Sequence, residues 1–423
     1  MTKFLNIFKI PDLRKKVLLI LLWLLIFRLL AAIPIPGIDP LRLSQFFSSN
    51  QLFGFLNIFS GGGLDNLSVM MLGVGPYITA SIIMQLLTII FPQLKKAYYE
   101  EGSEGRAKFN RISRYLTVPL AALQSYGFLN LLISQGVLDP LSLKVALSNV
   151  IVITAGSILL MWIGEVITEY KVGNGVSLII FAGIVSGLPR IISQSVLTFT
   201  PSTIPTYIAF IILSVIVIAG VVFISEGERK IPVSYAKQVR GNKLYGGVST
   251  YLPLKVNQAG VIPIIFAVSL LLFPQFLAQI SSIISPELSV KLNNLVASAF
   301  NNLIFYSIAY FILVVVFTYF YTAITFDPQE ISKNLQRAGG FIPGIRPGVA
   351  TAEVIKKTVG RTTLFGALFL GIVAILPNIT QLVTGIQSLT IGGTALLIVV
   401  SVAMDVMKQL ESQLTVREYE GIV

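Results

Sequence analysis

"GGGLDNLSVMMLGVGPYITASIIMQLLTII", residues 61–90, places a short apolar segment, broken by glycines, directly before a continuous apolar run. The short segment, which we take from Ile58 to about Met71, cannot cross about 30 Å of hydrocarbon as a helix. It is also too apolar for an ordinary loop. Because irregular backbone is tolerated at membrane depth only where protein or water surrounds it, the pattern predicts a short re-entrant helix inside a bundle of spans.

The rest of the chain consists mainly of similar apolar runs joined by short links. Its 423 residues are 54% hydrophobic and 12% charged, with a mean hydropathy of +0.82, whereas a soluble domain is about 25% charged. Runs of about 18 residues or more predict membrane spans. Ten such runs lie near 17–33, 72–92, 114–135, 148–168, 176–197, 206–225, 259–281, 301–325, 362–379 and 391–410. The sequence therefore predicts an all-α integral membrane protein with ten transmembrane helices.

The composition excludes most enzyme classes. Cysteine and histidine are both absent, which removes disulfides, thiol nucleophiles, His-ligated metals and His-based proton relays. The chain also lacks the G-x-x-x-x-G-K-[ST] pattern of a nucleotide-binding loop. We therefore predict a protein that is not an enzyme, has no cofactor and no metal, and takes any energy it needs from a partner.

The basic residues predict the orientation, since Lys and Arg are retained in cytoplasmic loops. Of the 31 Lys and Arg residues, the predicted outer loops contain only Arg42, Lys144, Arg190 and Lys291, and Arg28 lies within the first run. The remainder lie in the N-terminus and the even-numbered links. Both termini are therefore predicted to be cytoplasmic, and the net charge of +12 mainly reports this topology.

Two cytoplasmic links, 226–258 and 326–361, are basic, and each is long enough to form a protruding structure with its own shape. A division near residue 200 leaves five predicted spans in each half, 1–200 and 201–423. An odd number of spans gives the second half the opposite orientation, which is the arrangement of an inverted repeat with a pathway between the halves.

The polar residues within the spans distinguish between functions. Glu165, Glu169 and Asp405 lie near the inner ends of spans, whereas a coupled ion transporter would need a carboxylate at mid-depth. Gln85 and Gln124 are either hydrogen-bonding contacts between packed helices or residues of a seam that opens, and both alternatives stay open. A small-solute secondary transporter with a broken helix is the alternative to a channel.

The short segment itself has the composition of a stopper. Ion filters present ordered polar groups or rings of charge, whereas this segment offers apolar side chains after three flexible glycines. The alternative is a simple helix on the outer surface. The apolar residues are Leu64, Leu67, Val69, Met70 and Met71, and the predicted hinge consists of Gly61, Gly62 and Gly63.

Seven stretches extend from the first span to the last. They are "IPIPGID" (33–39), "GPYITASIIMQLLT" (75–88), "EGSEGRAKFNRISRY" (101–115), "VGNGVSLIIFAGIVSGLP" (172–189), "LPLKVNQAGVIPIIFA" (252–267), "FDPQEISKNLQRAGGFIPGIRPG" (326–348) and "GGTALLIVVSVAMD" (392–405). Each motif is weak alone, but in this order, and with ten predicted spans, the chain resembles the SecY family, the channel-forming subunits of bacterial Sec translocases.

The resemblance implies an hourglass-shaped protein-conducting channel in the inner membrane, built from two inverted five-helix halves. The segment 58–71 would be the plug that closes it from outside. The waist would be a ring of bulky aliphatic side chains that excludes water yet deforms around a passing chain. By position in the motifs, the ring residues are Ile78, Ile82, Val176, Ile180, Ile265 and Ile398.

The resemblance also implies a side exit and a set of partners. Helices two and three, with Gln85 and Gln124, would face helices seven and eight as a lateral gate through which signal sequences and nascent transmembrane segments reach lipid. SecE and SecG would accompany the channel, and the SecA ATPase and the ribosome would dock on the basic loops, where rRNA phosphates are natural ligands. The predicted docking residues are Arg229, Lys230, Lys237, Arg240, Arg337, Arg346, Lys356 and Lys357.

Overall fold

The computed structural model is mostly helical. It describes residues 10–35, 63–64, 67–99, 101–134, 136–197, 201, 204–235, 238–240, 243–245, 249–281, 285–300, 302–384 and 387–419. The helices are α1 (Pro11–Ala31), α2 (Gly75–Ile90), α3 (Pro92–Tyr99), α4 (Gly102–Ser134), α5 (Leu143–Glu169), α6 (Gly175–Leu197), α7 (Ile204–Glu226), α8 (Ile262–Ile280), α9 (Pro286–Phe300), α10 (Leu303–Thr325), α11 (Pro328–Arg337), α12 (Val349–Thr384) and α13 (Gln387–Tyr419).

Every predicted apolar run lies on one of these helices. Within the described residues, five helices are long and apolar enough to cross a membrane, namely α4, α5, α7, α10 with its continuation into α11, and α12. A sixth candidate is the pair α2 and α3, bent by 106°. A helical membrane protein is thus confirmed, and ten crossings stay a prediction.

Several helices are longer than their apolar runs. Helix α4 begins at Gly102, α12 begins at Val349, and α13 continues to Tyr419. Hydropathy locates the part of a helix that suits hydrocarbon, whereas charged residues such as Lys and Glu continue a helix readily in water. The apolar runs therefore underestimated the lengths of these helices.

The chain forms two compact units. The first contains residues 1–205, 268–303 and 386–423, and the second contains 206–267 and 304–385. The predicted division into two inverted halves at about residue 200 stays a prediction.

Helices α4 and α5 pack together in the first unit. Helix α1 packs on α5, where the rings of Trp23 and Trp162 meet edge to face with centroids 5.6 Å apart. The core between α4 and α5 also includes the segment around residue 70. This arrangement places the segment that precedes α2 inside the unit.

The second unit contains a small antiparallel sheet, which an all-α prediction missed. Strand β1 (Glu228–Tyr235) pairs with β4 (Ser249–Lys255) on one side and with β5 (Gly340–Phe341) on the other. A separate hairpin joins β2 (Gln238–Arg240) to β3 (Lys243–Tyr245). Burial alternates at Ile231 and Val233 of β1, and this period of two was the available sequence signal for a strand.

The two long links of the second unit fold around one shared core. Ile231 and Leu254 from the first link pack with Ile342, and Ile355 and Val359 of α12 complete the buried cluster. The links were predicted to have separate shapes. Because β5 pairs with β1 and both links contribute to the same core, they form a single small domain.

Candidate functional site

The segment before α2 is not helical where the structure describes it. Residues 67–74 form consecutive turns, with amide-to-carbonyl bonds from Met71 to Ser68 of 2.9 Å and from Gly73 to Met70 of 2.8 Å. Ser68 organises these turns, because its hydroxyl donates to the Gly63 carbonyl and accepts from the Met70 amide. The predicted plug helix is therefore wrong for these residues. Residues 58–62 and 65–66, including Gly61 and Gly62, lie outside the described residues.

The turn segment is bonded to the chain that follows α1. The Ile35 amide donates to the Leu67 carbonyl and the Val69 amide donates to the Ile33 carbonyl, each at 3.0 Å. Pro34 and Ser68 face each other in this short bridge. The segment therefore has backbone partners besides its own turns, which satisfies polar groups that would be costly to leave unpaired in an apolar interior.

The side chains of the turn segment are seated between helices. Leu64, Leu67, Met70 and Met71 are each at most 2% exposed. Leu64, Leu67 and Met71 pack in the same cluster as residues 128, 129, 131 and 132 of α4 and Ile153 of α5. The described part of the segment thus lies buried inside the first unit, not on an outer surface as the alternative supposed.

Gly156 of α5 provides the closest approach to the segment. A Cβ placed on Gly156 would overlap the Val69 carbonyl oxygen and would lie 3.2 Å from the Val69 Cγ1. Only a residue without a side chain lets the helix and the turn backbone approach this closely. We call residues 63–74, where described, together with their contacts on α4 and α5, the plug seat.

Gly63 has a packing role in the plug seat. A Cβ on Gly63 would lie 2.7 Å from the Met70 carbonyl oxygen, and the Gly63 carbonyl accepts from both the amide and the hydroxyl of Ser68. Sequence reasoning assigned this glycine to a hinge. Its close contacts account for a glycine at this position, and the hinge stays a prediction.

Five of the six predicted ring residues are buried. In the first unit, Ile78 and Ile82 are 4% exposed, Ile180 is 0% exposed and Ile398 is 2% exposed. Ile265 belongs to the second unit and is 4% exposed. The ring of six stays a prediction.

Val176 is only half-buried and packs against α5. A Cβ on Gly164 of that helix would lie 3.4 Å from the Val176 Cγ2. One turn beyond Ile180 in the other direction, Ile184 is 5% exposed. The spacing of four residues that paired Val176 with Ile180 applies equally to Ile180 and Ile184, so Ile184 is a ring candidate that the motif alignment missed.

Gln85 and Gln124 lie on two helices of the first unit that pack together, α2 and α4. Gln124 is 6% exposed. The Gln85 side-chain oxygen is buried and has no hydrogen-bond partner within the described part of the chain. An unsatisfied buried amide oxygen costs free energy and gains from any donor that arrives. Whether the two glutamines are helix-helix contacts or residues of a seam stays a prediction.

Glu165 is paired near the C-terminal end of α5. The Arg114 Nε of α4 lies 2.6 Å from a Glu165 carboxylate oxygen. This agrees with its interpretation as an interfacial charge and does not resemble the mid-depth carboxylate of a coupled transporter.

The predicted docking residues that the structure describes lie on the small domain of the second unit. The side chains of Arg229, Lys230, Arg337, Arg346, Lys356 and Lys357 are exposed. Arg240 ends β2 opposite Lys243 of β3, and Lys237 lies outside the described residues. One folded domain therefore presents basic side chains from both long links.

Arg346 is held in a turn with fixed ends. Ile345 packs against the buried cluster of the domain, and the Thr351 hydroxyl donates to the Arg346 carbonyl at 2.9 Å. The Ser332 hydroxyl donates to the Gly348 carbonyl at 2.6 Å. Because its neighbours are anchored in this way, the exposed Arg346 side chain is presented on a stable backbone.

Comparison with known proteins decides the family. The SecY family model matches residues 68–407. Protein translocase subunit SecY of Mycobacterium tuberculosis (strain ATCC 25618 / H37Rv) is 41% identical over 444 aligned positions that cover 100% of both chains. The SecY subunit of Thermus thermophilus is 43% identical over 434 positions, which cover 99% of this chain and 97% of that protein.

The chain belongs to the SecY family. The matched region begins at Ser68, so it includes the later turns of the plug seat, every predicted ring position and both long links, whereas Leu64 and Leu67 precede it. Most of the candidate residues therefore lie within the part of the chain that the family model matches.

Solved structures agree on the fold of this SecY family member. The structure described as "The structure of a protein conducting channel" has a TM-score of 0.66 at 22% identity and covers 93% of this chain and 90% of that chain. A second, described as "The plug domain of the SecY protein stablizes the closed state of the translocation channel and maintains a membrane seal", has a TM-score of 0.63 at 21% identity, with 92% and 90% covered. Sec61 in a canine ribosome-channel complex has a TM-score of 0.62 at 20% identity, with 93% and 90% covered.

Proposed function

We propose that this chain is the protein-conducting channel of a Sec translocase, which passes unfolded secretory polypeptides across the inner membrane. The observation that carries the proposal is full-length identity of 41% to protein translocase subunits named SecY. The protein acts as a channel subunit and carries out no chemical step. The small-solute transporter is set aside, because the family is one of translocase subunits and Glu165 is paired near a helix end.

In this proposal the ring and the plug seat close the channel together. The ring consists of Ile78, Ile82, Ile180, Ile265 and Ile398, with Val176 or Ile184 as a further member. Aliphatic side chains at a narrow waist exclude water and ions, and they rearrange around a translocating chain because they form no specific hydrogen bonds. The buried turn segment closes the path on the outer side, and the burial of Leu64, Leu67 and Met71 supports its closing role.

The lateral gate lies between predicted spans two and three, on α2 and α4, and predicted spans seven and eight, on α8 and α10, and it releases apolar segments into lipid. Insertion is then a partition between channel and bilayer, in which each Leu or Ile at the helix centre contributes about −0.3 to −0.6 kcal/mol and a charge costs about 2.5–3.5 kcal/mol. Gln85 and Gln124 lie on the first pair of gate helices. The unsatisfied oxygen of Gln85 supports a seam that exchanges partners when the gate opens.

The small domain of the second unit binds the partner that supplies the energy for translocation. Its exposed basic side chains suit rRNA phosphates in cotranslational work and the SecA ATPase in post-translational work. SecE and SecG complete the complex. The chain crosses the inner membrane ten times with both termini in the cytoplasm, as the distribution of Lys and Arg indicates.

Crosslinking within a stalled translocation intermediate tests the proposal. The chain has no cysteine, so Ile82→Cys or Ile265→Cys provides the only thiol of this subunit and pairs with one cysteine in a substrate halted midway. We expect disulfides at both ring positions. Leu22→Cys is the control, because Leu22 of α1 is 49% exposed on the apolar surface. Export that proceeds without crosslinks at either ring position would contradict a pore at this waist.

A further inference from the structure

Gln413, on the last turns of α13, connects three separate segments of the first unit. Its side-chain nitrogen donates to the Lys171 carbonyl in the link between α5 and α6. Its side-chain oxygen accepts from the Lys16 Nζ of α1 at 3.5 Å. A glutamine provides both a donor and an acceptor, so one side chain forms both contacts. Neither the apolar runs nor the family motifs drew attention to this position, which follows the last matched stretch.

The link that receives Gln413 has a defined conformation. Lys171 has a φ of +58°, which residues other than glycine seldom adopt. The Gly175 amide donates to the Thr168 hydroxyl at 2.9 Å across the link, and Asn174 accepts from the Val176 amide at the start of α6. The Lys171 carbonyl is therefore a fixed acceptor whose position is tied to the beginning of α6.

The same face of α13 packs along this link. A Cβ on Gly173 would lie 3.1 Å from the Val406 Cγ2, and Leu410 and Leu414 are 7% and 6% exposed. Residues 406, 410, 413 and 414 share one helix face. Gln413 is thus the hydrogen-bonding position of an otherwise apolar contact, and apolar contacts alone allow a helix to slide.

We propose that Gln413 is a positioning residue that sets the register of α13 against α6. This inference rests on the proposed function, because Ile398 of α13 and Ile180 of α6 are ring residues in that proposal. Ile398 precedes Gln413 on one continuous helix by about 22 Å at 1.5 Å per residue, and Ile180 follows the Lys171 link on α6. A shift of α13 at its inner end therefore moves Ile398 relative to Ile180 and loosens the closed waist.

Two substitutions at Gln413 separate its two contacts. Gln413→Ala removes both. Gln413→Glu keeps the acceptor for Lys16 but has no donor for the Lys171 carbonyl. Gln409→Ala is the matched control, because Gln409 has the same side chain one turn earlier on α13 and is exposed.

The test uses the full translocase reconstituted in proteoliposomes. It measures export of a reporter with a defective signal sequence relative to the same reporter with an intact signal, and the thermal midpoint of each variant. We expect Gln413→Ala and Gln413→Glu to raise this ratio about fivefold or more, the low end of ordinary coupling between sites, at an unchanged thermal midpoint. Gln409→Ala should leave both quantities at the wild-type value.

The outcomes separate the inference from the proposed function. A ratio for Gln413→Ala equal to that for Gln409→Ala would overturn the inference, as would a wild-type ratio for Gln413→Glu. A lower thermal midpoint with both reporters reduced equally would also overturn it, since the role would then be structural support alone. Ile398→Asn is the reference variant: if it relaxes selection while the Gln413 variants do not, only the inference fails. If the wild-type complex exports neither reporter, the proposed function fails.

Discussion

The close contact between Gly156 and the turn segment provides a direct test of the plug seat. Gly156→Ala adds a single methyl group, which would overlap the Val69 carbonyl oxygen. The turn segment is bonded on another side to residues 33 and 35, so moving away from the new methyl group strains those bonds as well. We expect the substitution to weaken the seated state of the segment.

The size of the effect follows from two opposing contributions. Overpacking of this kind costs about 1–3 kcal/mol. Replacing glycine by alanine within a helix stabilises the helix by about 0.8–1 kcal/mol. Helix α5 is present whether or not the segment is seated, so this second contribution cancels in the equilibrium between seated and unseated states. The full 1–3 kcal/mol remains, which corresponds to a shift of about 5–150-fold toward the unseated state.

Ion conductance of the resting channel in proteoliposomes and export of a reporter with a defective signal sequence measure this shift. Both should rise in Gly156→Ala. Gly187→Ala is the matched control, because Gly187 also lies within a long helix, α6, and a Cβ there meets nothing within 4 Å. A second control is the chain lacking residues 58–71, in which Gly156→Ala should have no further effect if it acts through the plug seat.

Two results would refute this reasoning. Equal conductance in Gly156→Ala and Gly187→Ala would mean that the contact with Val69 does not hold the segment. An effect of Gly156→Ala that persists without residues 58–71 would mean that the methyl group acts on helix packing instead.

Three further predictions concern other parts of the molecule. Ile398→Asn, or deletion of residues 58–71, should increase export of a reporter with a defective signal because a polar or missing barrier hydrates the waist, and unchanged export would contradict the ring. Arg346→Glu should weaken ribosome binding in a salt-dependent way. The negative slope of log affinity against log salt should become shallower by about 1, whereas a slope equal to that of the wild type would place Arg346 outside the interface. Asn378→Ala should destabilise the second unit by about 0.6–1.7 kcal/mol in thermal unfolding, because the buried Asn378 amide donates to the Ser307 hydroxyl at 3.1 Å, and additivity with Ser307→Ala would show that the pair is not coupled.

Matched variants accompany these predictions. Arg361→Glu tests whether any charge reversal on the second long link weakens ribosome binding, since Arg361 is exposed but is not among the predicted docking residues. Ile398→Val keeps the waist apolar and should preserve selection. For Asn378 and Ser307, the double variant itself completes the comparison.

The helices were predictable because their apolar runs are long and the membrane imposes a minimum length. Their ends were less predictable, because polar residues such as those of Gly102–Arg111 continue a helix outside hydrocarbon without any change in hydropathy pattern that marks a boundary. The location of the short segment before α2 was also foreseen from its glycines and its apolar composition. Its turns were not foreseen. They are stabilised by the hydrogen bond from the Ser68 hydroxyl to the Gly63 carbonyl and by the bridge to residues 33–35, and the bridge depends on contacts that form only in the folded chain.

Some residues of the candidate site were likewise predictable from the sequence, and others were not. Leu64, Leu67 and Met71 were identified from composition, and their burial follows. Gly156 carried no signal, since a glycine in a long helix reveals its partner only when the neighbouring backbone is known. Gln413 likewise looks like any polar residue beyond a span, and its contacts with Lys16 and Lys171 join positions 397 and 242 residues apart.

The strand pairing between the two long links has a practical consequence for making the protein in pieces. Strand β4 pairs with β1 from Glu228 to Ser234, β5 adds to β1 from the other link, and the shared core includes Leu254 and Ile355. A chain cut between β2 and β3 would therefore leave two fragments that still possess complementary edges and a common interior. We expect such fragments, when coexpressed, to associate without a covalent connection, which offers a route to labelling either fragment of the channel separately.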